Sequence, residues 1–230
     1  MVLTIPAAAA VRARRRGNST ERERTIRYVA KPAVFALCLL PTAWVIWRLF
    51  TGGLGANPIE AAIREIGTWG LRFLLLTLAI TPLRQIFHWT VLVRFRRMIG
   101  LFAFFYVSVH LLTYVGVDQF FDWRAIWADI VKRTYITLGM IAFVLLLPLA
   151  ITSTKGWIRR LGGVTWTRLH MLVYPAAILA VAHYYMLVKA DVREPLIYAG
   201  ILAALLGWRL VRRYAGSGVS QGRLTAARTS

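Results

Sequence analysis

Apolar residues gather into six long runs along the chain, at 33–50, 68–87, 98–117, 135–151, 166–188 and 195–214, with short polar stretches between them. A helix needs about 20 mostly apolar residues to cross a bilayer, and each run is near that length. None alternates with period two, as the strands of a membrane barrel do. Lipid offers a spanning backbone no hydrogen-bond partner beyond its own helix. The pattern therefore predicts an all-α integral membrane protein, a six-transmembrane-helix bundle. Trp44, Trp47, Trp69, Trp157, Trp166 and Trp208 fall near the ends of runs, where aromatic side chains meet the interface.

The polar stretches differ in charge. Segments 1–32, 84–97, 152–168 and 209–230 hold 21 of the 29 basic residues, and their only acids are Glu21 and Glu23. Segments 51–67, 118–134 and 189–194 hold 6 basic residues and the remaining 7 acids. Basic loops stay cytoplasmic, so both termini are expected to be cytoplasmic. The expected organisation is a basic N-terminal tail over 1–32, a transmembrane domain over 33–214 and a short cytoplasmic tail over 215–230. The arginine-rich start lacks the short apolar core and cleavage site of a secretory signal and reads as a polybasic tail on anionic lipid.

A formal net charge of +20 on 230 residues would point to nucleic acid in a soluble protein, but the mean hydropathy is +0.59. The charge is also spread over four separated segments, so no nucleic-acid partner is expected. Cys38 is the single cysteine, which excludes a disulfide framework, an all-cysteine metal site and covalent haem attachment through C-x-x-C-H.

Ionisable residues inside spans are expensive and point to function. No Asp or Glu lies within any of the six runs, which weakens the reading as a proton- or sodium-coupled transporter. The intramembrane candidates are Arg72, Arg48 near a span end, and His110, His170 and His183, with His88 just beyond the second run. His170 and His183 are thirteen residues apart on one span, about 20 Å along a helix axis, and cannot ligate one metal. His183 and His110 fall at similar depth on different spans and could hold one iron from both sides. Neutral imidazole suits haem iron as an axial ligand. The alternative is that each histidine only hydrogen-bonds across helices. Arg72 either reaches the outer interface or pairs with an anionic cofactor group. The 118–134 segment has the spacing of a short amphipathic helix, either lying on the bilayer or receiving a partner.

Several motifs occur in order: Asn57-Pro58-Ile59-Glu60, Leu71-Arg72-Phe73, Thr81-Pro82-Leu83, Arg96-Arg97 with Gly100-Leu101, and His110. They continue with Arg133-Thr134-Tyr135-Ile136-Thr137 and Gly139, Thr152-Ser153-Thr154, Leu169-His170 with Val173-Tyr174, and His183-Tyr184. Over about residues 52–214 this series resembles the MsrQ (YedZ) family, haem-binding membrane subunits of a bacterial methionine-sulfoxide reductase system, within the ferric-reductase-like transmembrane domains. The resemblance implies a b-type haem protein of the bacterial inner membrane, with His110, His170 and His183 as haem ligands and FMN as a further cofactor. It implies electrons taken from the quinone pool, or from a cytosolic flavin reductase, and passed to a periplasmic MsrP-like molybdopterin subunit. Reduction of methionine sulfoxide would fall to that partner, which leaves this chain an electron-transfer subunit with no catalytic residue of its own.

His88 falls on no motif of the series. Arg96 stands fourteen residues before His110, where larger relatives carry a second histidine. One haem is therefore expected, or two if His170 finds an unusual second ligand. The sequence has no G-x-G-x-x-G fingerprint, so oxidation of NAD(P)H by this chain alone is not expected. The other readings are a stand-alone haem-dependent quinone or metal-ion reductase, and a transporter.

Overall fold

The computed structural model describes residues 21, 23–188 and 190–226, with side chains as far as 214. The arginine run at 12–16 and the last four residues of the expected C-terminal tail lie outside the described residues. All regular structure among the described residues is helical. We number the helices α1 (Lys31–Phe50), α2 (Pro58–Phe87), α3 (Val93–Leu112), α4 (Trp123–Lys132), α5 (Thr134–Ile151), α6 (Lys155–His170), α7 (Val173–Leu187) and α8 (Arg193–Ala226). A π-helical turn, Ile26–Ala30, leads into α1, and another, Thr113–Asp118, extends α3.

Six helical segments are long and apolar enough to cross a membrane: Glu23–Phe50, Pro58–Phe87, Thr90–Asp118, Thr134–Ile151, Lys155–Leu187 and Arg193–Tyr214. They match the six apolar runs one for one, and several extend beyond them. α2 starts ten residues before its run because its start is set by capping, not hydropathy. Asn57 accepts from the Glu60 amide, and Pro58 sits in the first turn, where its missing N–H costs nothing. Hydropathy averages across the fifth span, but the chain breaks there. Gly162 takes φ 72° inside α6, a left-handed value that glycine adopts without strain, and Met171 and Leu172 separate α6 from α7.

The chain divides into two compact units, residues 1–44 and 45–230. In the first, residues 31–44 form most of α1. The second holds the remaining helices. Its closest packing is between α2 and α3 and between α5 and α7; α3 joins α5, and α8 packs on α7 and α2. The α2–α3 seam is tight because Gly70 faces Val107, so that a Cβ there would fall 2.9 Å from the valine Cγ2. Tyr106 is fully buried in this seam, with its ring 5.0 Å from that of Phe73. The outward faces are apolar, with Leu76, Leu112, Val144 and Val211 exposed. In water such patches are a liability; toward lipid they are what a spanning helix needs.

Arg48 anchors the end of α1 within the second unit by an ion pair to Glu65 at 2.7 Å. The segment after α3 forms α4, the amphipathic helix that its spacing predicts. Asp122 caps it by accepting from the Arg124 and Ala125 amides, both at 3.0 Å. Ile126 is buried, while Trp123, Trp127 and Val131 are 67, 68 and 67% exposed, forming one stripe at helical spacing.

Candidate cofactor site

α2, α3, α5 and α7 enclose a cavity of about 430 Å³ lined by both His110 and His183. That volume lies within the range of about 300–1,000 Å³ common for small-molecule and cofactor sites. The walls are apolar, from Leu71, Leu74, Val107, Phe143 and Leu146, and the mouth carries charged groups that include Arg64 and Arg133. Arg64 pairs with Glu60 at 2.5 Å, and Arg133 pairs with Asp129 at 3.1 Å. Arg133 is held firmly in its charged form, first by its hydrogen bond with Tyr135 and then by the Asp129 charge.

Each histidine is seated in the same way. His110, on α3, places Nδ1 2.9 Å from the Ile63 carbonyl of α2, and His183, on α7, places Nδ1 2.6 Å from the Tyr135 carbonyl of α5. A backbone carbonyl only accepts, so Nδ1 of each ring carries the proton and donates, which leaves Nε2 with its lone pair. Four residues after each acceptor is a glycine. A Cβ on Gly67 would lie 2.8 Å from His110 Nδ1, and one on Gly139 would lie 2.9 Å from His183 Nδ1. Any side chain at either position would push the ring off its carbonyl. The seat is therefore built twice, once by α2 with α3 and once by α5 with α7.

The two rings stand 6.2 Å apart between centroids, at 81° to one another. A ring centroid lies about 3 Å from a metal bound at one ring nitrogen with a bond of about 2 Å. Two imidazoles on opposite sides of one iron are thus about 6 Å apart, as these are. Among the described residues no group of three or more His, Cys, Asp or Glu could hold a metal ion. A bare ion would find two ligands here, whereas a macrocycle that brings four nitrogens needs only two. The residues present fit a haem. The sequence alternatives for these histidines turn out to be compatible: Nδ1 bonds across helices while Nε2 remains available.

His170 is not part of this cavity. It ends α6, where its Nδ1 lies 3.1 Å from the Trp166 carbonyl and its ring stacks on Trp166 at 3.8 Å. Its Nε2 is buried without a partner. His88 is exposed and closes α2 in a left-handed conformation, φ 55°. Arg72 donates from Nε to the Tyr198 hydroxyl at 2.8 Å, and its guanidinium lies over the Trp69 ring at 4.7 Å. The carbonyls of Ile63 and Tyr135 and the two glycines are site features that sequence reasoning did not find.

Residues 66–181 match the family model for the ferric reductase like transmembrane component. The chain is 65% identical over 179 residues to a protein-methionine-sulfoxide reductase heme-binding subunit MsrQ of Rhodospirillum rubrum, covering 78% of this chain and 86% of that one. It is 55% identical to the MsrQ of Caulobacter vibrioides over 86% of this chain and 90% of that one, and 52% identical to the MsrQ of Xanthomonas euvesicatoria pv. vesicatoria over 87% and 92%. No solved structure matches it significantly. The chain belongs to the MsrQ family, within the ferric reductase like transmembrane components.

Proposed function

We propose that this chain is a haem b electron-transfer subunit of the bacterial inner membrane, in which His110 and His183 would hold the haem. The observation that carries this reading is the pair of facing imidazoles, each with Nδ1 fixed on a carbonyl of the neighbouring helix. When bound between His110 and His183, a haem would supply a one-electron couple. Everything else falls to the chain. The carbonyls of Ile63 and Tyr135 hold the tautomer and raise ligand basicity, as outer-shell partners do. The leucine, valine and phenylalanine walls exclude water, and Arg64 and Arg133 offer positive charge at the mouth to the carboxylates of a macrocycle.

The electrons would come from the quinone pool or a cytosolic flavin reductase and leave to a periplasmic MsrP-like molybdopterin subunit, which would carry the chemistry on methionine sulfoxide. The names of the relatives support the reductase system. The charge map supports the direction, with both termini cytoplasmic and His110 and His183 toward the outer face. FMN is carried over from the family resemblance alone. A second haem on His170 is the lesser reading, favoured by its buried, unpartnered Nε2.

A pyridine haemochrome assay on the purified protein, with flavin extraction, tests both readings. One haem per chain, lost in His110→Ala and in His183→Ala, is the expected result. A colourless protein would defeat the proposal. Reduction by quinol with and without the partner subunit separates it from a stand-alone quinone or metal-ion reductase.

A further inference from the structure

Each histidine seat is built within one helix pair, so neither seat fixes the distance between the two rings. His110 is held by α2 and His183 by α5. A binding constellation must keep its geometry to within about 0.5 Å, so the joins between the α3 side and the α5 side matter as much as the seats. On one side of the rings the join is apolar. Phe104 of α3 and Phe143 of α5 stack with centroids 5.6 Å apart and planes at 18°. On the other side it is a single carboxylate. Asp129 of α4 accepts from the Tyr114 hydroxyl at 3.0 Å through one oxygen and pairs with Arg133 Nε at 3.1 Å through the other.

The two partners of Asp129 belong to different sides of the site. Tyr114 lies four residues, about one helical turn, beyond His110 on the π-helical extension of α3. Arg133 lies two residues before Tyr135, whose carbonyl accepts from His183. The Arg133 amide also donates to the Asp129 carbonyl at 2.9 Å, and Thr137 Oγ1 donates to the Ile130 carbonyl at 2.5 Å, which locks α4 to the first turn of α5. The Asp129 side chain is only 18% exposed. Charge-assisted bonds to a carboxylate are shorter and stronger than neutral ones, and with both oxygens engaged this one has little freedom to swing. Tyr114, Arg133 and Tyr135 line the cavity and Asp129 does not, so its effect there passes through them.

We propose that Asp129 is a positioning residue for the cofactor: by tying Tyr114 to Arg133 it fixes the distance and angle between the His110 and His183 rings. This rests on the haem reading above. The test compares full-length wild type in detergent with Asp129→Ala, Asp129→Asn, Tyr114→Phe and Asp122→Ala. In protein made in haem-depleted cells, hydrogen exchange reports the seat itself: the peptide 134–141 should exchange at least fivefold faster in Asp129→Ala, as a locally loosened segment does. In haem-loaded protein, Asp129→Ala should lose haem to apomyoglobin at least fivefold faster, and its low-temperature electron paramagnetic resonance signal should shift from the wild-type position.

Tyr114→Phe removes one hydroxyl and should shift the signal in the same direction by less. Asp129→Asn can still bond both partners but carries no charge, and should fall between wild type and Asp129→Ala. Asp122→Ala loses the cap of α4 and keeps the Asp129 contacts, so it should lower Tm and leave the signal in place. A coloured wild type whose Asp129→Ala form keeps the wild-type release rate and signal overturns this inference and spares the haem reading. An Asp122→Ala form that moves the signal as far as Asp129→Ala does the same, because the stability of α4 alone would then explain both. If Asp129→Ala does not fold, an unshifted signal in both Tyr114→Phe and Asp129→Asn overturns the inference. A colourless wild type overturns the haem reading and this inference with it.

Discussion

His110 and His183 face each other at 6.2 Å with their ring planes 81° apart, although 72 residues separate them in the chain. The angle is set by the two seats, since each Nδ1 is tied to a different helix. An iron held by both imidazoles at this angle would have the two orbitals that interact with them almost equal in energy. Low-temperature electron paramagnetic resonance of the oxidised, haem-loaded protein should therefore show a strongly anisotropic low-spin signal. A rhombic spectrum, typical of parallel rings, would contradict the seating described above.

Removing a ligand should remove the cofactor. His110→Ala and His183→Ala are each expected to abolish the Soret band of the purified protein, since each leaves one protein ligand. His170→Ala should leave most of that band in place, because His170 does not line the cavity. Loss of half the haem in His170→Ala would instead assign a second haem to it.

The seat glycines give a sharper test than the ligands. Gly67→Ala and Gly139→Ala place a methyl 2.8 and 2.9 Å from the respective Nδ1, so the ring must leave its carbonyl. Overpacking of this kind costs about 1–3 kcal/mol, and haem retention and reduction potential should both change. Gly100→Ala meets only Thr77, at an ordinary 3.5 Å from its Cγ2, and should leave spectrum and potential unchanged while Tm holds or rises slightly. Equal effects at all three sites would show that the glycines matter only as helix spacers.

The exposed stripe of α4 predicts contact with lipid. Trp123, Trp127 and Val131 project from one face, and Phe120 beside them is 80% exposed. In vesicles containing brominated lipid, fluorescence of a variant that keeps Trp127 as its single tryptophan should be strongly quenched. Relief of that quenching on addition of a soluble partner subunit would instead mark the face as a docking surface.

Much of the fold was legible because a bilayer imposes one rule on every span, and hydropathy reports that rule directly. The same measure failed where other physics set the structure. Asn57 and Pro58 start α2 in a polar stretch, so the first turns of that helix, which supply Glu60 and Arg64 to the cavity mouth, lay outside the second apolar run. Met171 and Leu172 are apolar, and their run hid the break between α6 and α7. The pairing of His110 with His183 was legible from depth alone. Its supports were not: a main-chain carbonyl leaves no mark in a sequence, and Ile63 and Tyr135 share no side-chain chemistry. The one trace was a glycine four residues after each, which acquires meaning only once His110 and His183 are known to approach from neighbouring helices.

The doubled seat has a consequence for assembly. Each half of the bundle owns one jaw of a clamp, and the jaw on α7 is made long after the one on α3 as the chain is synthesised. A group gripped by both rings can be captured only when α2, α3, α5 and α7 have come together, and it must be released before they separate. Visible colour in this protein would then report more than a cofactor: it would certify that α5 and α7 had reached their places beside α2 and α3.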